Sequence, residues 1–126
     1  MVGSATDATG NAHGNTIIGN DLDNRLKGGG GIDSLIGGDN ANNDEDGHDT
    51  FIFEAGESDL DSVHFFQGNG AAAGDQLLFV GYGAGATFVQ LTSTEWQVSS
   101  FDGSIQESIL VTGGTQFDAS DVSFIL

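Results

Sequence analysis

Ile17, Leu26 and Leu35 stand nine residues apart, and each is preceded two positions earlier by a polar residue: Asn15, Asn24 and Asp33. A fixed period of this kind indicates a repeat architecture. Each unit reads as a turn followed by a strand of three residues, roughly 10 Å long, with its middle residue inward. One such unit buries nothing alone, so neighbouring units must stack. Nine residues beyond Asp33 lies Asn42, but Asp44 falls where the next aliphatic is due. The next match is Asp46-Gly47-His48-Asp49-Thr50-Phe51-Ile52, which puts Phe51 sixteen residues after Leu35 instead of eighteen. The fourth unit is therefore expected to be two residues short, with a distorted strand.

From Phe51 onward the pattern changes to longer runs of β-branched and aromatic residues, without sustained helical periodicity. Strands are predicted at 51–53, 59–66, 76–80, 86–91, 95–100, 105–112 and 122–126. Thr92-Ser93-Thr94 is expected to close a hairpin between the fourth and fifth of these. All eleven aromatic residues lie at position 51 or later, and seven of the eight asparagines lie between 11 and 43. The chain thus divides into a small, polar, frayed leader (1–9), a repeat array (10–53) and a β-rich C-terminal segment (54–126) held by apolar burial. That last segment is expected to cap the open end of the stacked array. The fold class is all-β.

The most regular unit is Gly28-Gly29-Gly30-Gly31-Ile32-Asp33-Ser34-Leu35-Ile36. Its glycines allow the turn to curl carbonyl oxygens around a cation while Asp33 adds a carboxylate. Charge changes the picture further: 19 acidic against 2 basic residues give a formal net charge of -17. Self-repulsion of this size opposes folding, and each bound divalent ion relieves it. The same charge argues against a nucleic-acid partner, because phosphate contact needs clustered Lys and Arg. With no cysteine, metal replaces disulfides as the staple for a small extracellular domain. No apolar run has the length of a membrane span, and the N-terminus does not read as a cleavable signal peptide.

The turn GGxGxDxUx is the signature of RTX calcium-binding repeats, and residues 10–53 resemble that family. The resemblance implies a short parallel β-roll in which successive units lie on alternate sides of a flattened coil and calcium sits between turns two units apart. It implies about two or three ions, held by Asn15, Asn24, Gly28, Gly30, Asp33, Asp39, Asn42, Asp46 and Asp49. It also places the turns of Asn15, Asp33 and Asp49 on one edge and those of Asn24 and Asn42 on the other. Asp61-Ser62-Val63-His64-Phe65-Phe66, Gly74-Asp75-Gln76-Leu77-Leu78-Phe79 and the ending Asp118 to Leu126 resemble the segments after the repeats in serralysin-type proteases and alginate-epimerase R-modules. Phe65 and Leu78 stand where those families carry further acids. A type I secretion address in such an ending agrees with the N-terminal reading.

Other chemistry is weaker. His13, His48 and His64 lack zinc-ligand spacing. No HExxH, GxSxG or phosphate-binding lysine loop is present, so an enzyme is not expected. Trp96 and Tyr82 read as core rather than as a sugar-stacking platform, and Arg25 with Lys27 as a solvated surface rather than a polyanion site. The expected function is a secreted, monomeric calcium module of a larger exported bacterial protein. It would fold on calcium after passing the type I secretion machinery and cap or stabilise an upstream catalytic domain. The alternative is a carbohydrate-binding accessory module for an alginate-like polysaccharide.

Overall fold

A computed structural model describes residues 6–20, 22–37, 48–58, 60–64, 66, 75–112 and 121–125. Four three-residue strands come first: β1 (Asp7–Thr9), β2 (Thr16–Ile18), β3 (Arg25–Lys27) and β4 (Ser34–Ile36). There follow β5 (Thr50–Glu54), β6 (Ser62–His64), β7 (Gln76–Val80), β8 (Thr87–Gln90), β9 (Glu95–Ser99), β10 (Gln106–Val111) and β11 (Val122–Ile125). Among the described residues there is no α-helix, and no helix is long and apolar enough to cross a membrane.

The strands form two sheets, ordered β1-β3-β5-β7-β11 and β2-β4-β6-β10-β9-β8. From β1 to β7 the chain passes from one sheet to the other at every step. All pairings in the first sheet are parallel, as are β2-β4, β4-β6 and β6-β10 in the second. Only β10-β9-β8 form an antiparallel meander. With β11 it extends both sheets beyond β6 and β7. Leu91 to Thr94 close the β8–β9 hairpin, one residue more than expected, and Thr92 Oγ1 accepts the Glu95 amide at 2.9 Å.

A three-residue strand points one side chain inward. Those side chains align across the rungs: Ala8, Leu26, Phe51 and Leu77 in the first sheet, Ile17, Leu35, Val63 and Val111 in the second. Ala8 lies nine residues before Ile17, which explains why Asp7–Thr9 pair with β3 although residues 1–9 were expected to form a frayed leader. The five-residue strands β5 and β7 add a second inward row, Phe53 and Phe79, flanked at the sheet edge by the partly exposed Phe124. Phe79 stacks between the other two at 5.4 and 5.3 Å, and its neighbours Tyr82 and Phe88 complete an aromatic core. The core therefore widens from single aliphatics to aromatics along the coil.

At the wide end a buried carboxylate ties three segments together. Glu107 of β10 accepts the Gly56 amide at 2.7 Å and the Tyr82 hydroxyl. Burial, then the adjacent Glu107, raises the Tyr82 phenol pKa from its ordinary value of 10.0. A pKa raised by folding contributes stability that is complete below the unfolded value and is lost as pH rises above it. Stability should thus fall from about pH 10 upward. Tyr82→Phe, which leaves Glu107 short of a donor, should cost roughly 1–3 kcal/mol at neutral pH. The difference should shrink above pH 10, as read by denaturant unfolding at several pH values.

Candidate metal centre

The turn residue two positions before the inward side chain is polar or charged yet buried in five of the coils, at Asn24, Asp33, Asp49, Asp61 and Asp75, and half-buried at Asn15. Each carboxylate reaches back to the preceding coil on its own edge. Asp33 Oδ1 accepts the Asn15 amide at 2.7 Å, and Asp61 Oδ1 accepts the Asp33 amide at 2.8 Å. On the opposite edge Asp49 Oδ1 accepts the Asn24 amide at 2.9 Å and Asp75 Oδ1 the Asp49 amide at 3.0 Å. The carbonyls of the same residues accept the next rung of each ladder, as Asn15 O does from Ser34 N and Asn24 O from Thr50 N. The result is two columns of oxygen-bearing side chains, Asn15-Asp33-Asp61 and Asn24-Asp49-Asp75.

Glycine completes each turn. A Cβ at Gly10 would overlap Asn15 Oδ1 and the Gly28 carbonyl oxygen, and one at Gly19 would overlap Asn24 Oδ1 and the Gly37 carbonyl oxygen. A Cβ at Gly28 or Gly37 would overlap Oδ2 of Asp33 or Asp49. Asp33 Oδ2 is buried and has no hydrogen-bond partner among the described residues. An ionised oxygen in that position is costly unless a cation meets it. Lys27 does not, since its Nζ pairs with Glu54 at 2.8 Å and holds that carboxyl below its usual range.

Compared with protein-family models and with curated proteins, the sequence matches none. The site therefore stands on its geometry.

Of the expected ligands, Asn15, Gly28 and Asp33 come together on one edge, and Asn24 and Asp49 on the other. Asp49 was expected beside Asp33. Phe51 instead pairs with Leu26 in the first sheet, whereas Leu35 belongs to the second. Gly30 faces Ala12 of the preceding coil. Asp39, Asn42 and Asp46 lie outside the described residues. Sequence reasoning left out Asp61 and Asp75 as column members, although Asp61-Ser62-Val63 and Asp75-Gln76-Leu77 repeat the spacing of Asp33-Ser34-Leu35. It also left out Gly10, Gly19 and Gly37, which recur with Gly28 at nine residues.

The histidines stand apart from both columns. His64 Nε2 lies 3.2 and 3.1 Å from the Ser34 and Ser62 hydroxyls, and Nδ1 lies 3.2 Å from that of Thr112, while His13 and His48 are exposed. Tyr82 is buried and Trp96 stacks on Phe88 at 4.8 Å, as expected of core residues.

Two glycine substitutions separate a required cradle from a permissive turn. Gly19→Ala, which meets a backbone carbonyl, should destabilise by roughly 2–3 kcal/mol. Gly30→Ala, whose Cβ would sit at an ordinary 3.5 Å from Ala12, should change stability by less than about 0.5 kcal/mol in denaturant unfolding.

Proposed function

We propose that the chain is a calcium-binding RTX-type module: a parallel β-roll with a β-rich cap, belonging to an exported bacterial protein and folding on calcium after type I secretion. One observation carries this reading. Asp33 Oδ2 is a buried carboxylate oxygen with no hydrogen-bond partner among the described residues, packed against Gly28, on the same edge where Asn15 Oδ1 and the Gly28 carbonyl oxygen crowd Gly10. A donor set of carboxylate, amide and carbonyl oxygens suits a hard divalent cation, and a glycine turn suits the irregular coordination that calcium accepts more readily than magnesium. Among the described residues no three His, Cys, Asp or Glu side chains converge. Backbone carbonyls of the turns would therefore supply much of the coordination at Asp33, and Asp49 would serve the opposite edge in the same way. When bound, calcium would neutralise the buried oxygens and contribute its binding energy to folding.

In a cytosol poor in calcium the columns repel and the chain stays open to passage through a narrow channel. Outside, calcium closes the coil, which then caps or stabilises the parent protein. The polysaccharide-binding alternative loses support from Tyr82 and Trp96, whose rings are committed to packing.

Far-UV circular dichroism during a calcium titration of the metal-free protein should convert a largely unfolded spectrum to a β spectrum, and magnesium should not. A chain fully folded in chelator would overturn the switch. Asp33→Asn keeps Oδ1 for the Asn15 amide but puts an amide nitrogen in place of Oδ2, removing the charge and one ligand oxygen together. It should therefore raise the calcium concentration at the midpoint by roughly tenfold without unfolding the calcium-loaded protein. An unchanged midpoint would show that Asp33 is a hydrogen-bonding staple and not a ligand.

A further inference from the structure

A second site lies outside the columns, in a cleft of about 300 Å³ between the turn after β7 and the turn joining β9 to β10. Tyr82, Gly83, Ser100, Phe101, Asp102 and Ser104 line it. Phe101 is 83% exposed, the most open of the exposed large hydrophobic residues among those described. Its ring leans on Gly85, where a Cβ would meet ring carbon Cδ2 at 3.0 Å, so the missing side chain makes room for it, and the left-handed φ of 80° favours glycine there as well. The rest of the ring faces solvent.

Beside it the Asp102 carboxylate is fixed in place. Its Oδ1 accepts the Ser100 hydroxyl at 2.8 Å, the Ser104 amide at 3.0 Å and the Ser104 hydroxyl at 2.7 Å. The Ser104 amide, followed by the two hydroxyls, holds the carboxyl down to about 2, so it is ionised at neutral pH. Neither of the chain's two cations lines the cleft. The surrounding protein carries a net charge of -17, which repels anions and concentrates cations at its surface. An aromatic face next to a fixed negative charge attracts a cation through the ring quadrupole and through direct Coulomb interaction.

We propose that this cleft binds an organic cation, an ammonium or guanidinium group seated on the Phe101 ring beside the Asp102 carboxylate. The volume admits a small ion or the end of one basic side chain. A neutral sugar could use the ring but would gain nothing from the charge, and a polyanion would be repelled.

The test is an NMR titration of the calcium-loaded protein, following the amides of Gly83, Gly85 and Ser104. Tetramethylammonium chloride represents the ammonium class and argininamide the guanidinium class, with glucose as the neutral control. Saturable shifts with at least one cation, weakened by added sodium chloride, support the proposal, and the relative affinity of the two says which head group the cleft prefers. Phe101→Leu keeps apolar bulk without a π face, and Asp102→Asn keeps Oδ1 for its turn while removing the charge. Each should weaken binding by roughly two- to fivefold. No saturation with either cation, glucose shifts as large as those of the cations, or affinities unchanged in both variants would overturn it.

Discussion

The structure depends on a shortage of backbone partners at its turns. Strands of three residues give each coil few ladder hydrogen bonds, and the amide just before each strand would be buried without an acceptor, at a cost of roughly 1–3 kcal/mol each. The sixth-position side chain of the next coil removes that cost. Asp33 serves Asn15, Asp61 serves Asp33, Asp49 serves Asn24 and Asp75 serves Asp49. In Asp33 and Asp49, once Oδ1 is committed to the coil behind it, Oδ2 lies against a glycine, Gly28 or Gly37. There only glycine leaves space. The acid and the glycine it packs against, Asp33 with Gly28 and Asp49 with Gly37, are therefore two faces of one packing requirement.

This dependence also explains which parts of the fold could be read from sequence. Period and inward side chain were legible because Ile17, Leu26 and Leu35 keep strict spacing, and strands β7, β9 and β10 because their apolar runs are bounded by turn residues. The columns were legible only while the turns had constant length. Asn15 and Asp33 are separated by 18 residues, but Asp33 and Asp61 by 28, Asn24 and Asp49 by 25, and Asp49 and Asp75 by 26. Column membership is fixed by which sheet the following strand joins, and that is a long-range property. A count of nines assigns Asp49 to the wrong edge, whereas the count of sheet crossings assigns it correctly.

Two kinds of core share one coil because strand length changes along it. A single inward residue per strand, as at Leu26 and Leu35, buries about 1.5–3 kcal/mol of apolar free energy per rung. That is little against the entropy of ordering the turn that carries it. Where β5 and β7 lengthen to five residues, Phe53 and Phe79 enter a second row and stack with Phe124. Apolar burial thus carries the aromatic end, and the narrow end leans on its turns. Any cation bound at the columns would act where hydrophobic support is thinnest.

The order of Asn and Asp within each column follows from the same geometry. Asn15 and Asn24 use Oδ1 for their own turns, accepting the amides of Asn11 and Asn20 at 2.8 Å, and Asn24 also donates from Nδ2 to Asn20 Oδ1 at 2.9 Å. A side chain that must both accept and donate within one turn is served by an amide. Further along, Asp33 has its Oδ1 drawn away to the Asn15 amide, and its Oδ2 lies against Gly28 with no hydrogen-bond partner among the described residues. Two acceptors suit that place, provided that something positive meets the second. Reading Asn at the sixth position only as a ligand lacking charge misses this. It is the form the residue takes where the turn can satisfy itself, and Asp is the form it takes where one oxygen is committed to the amide of the neighbouring coil.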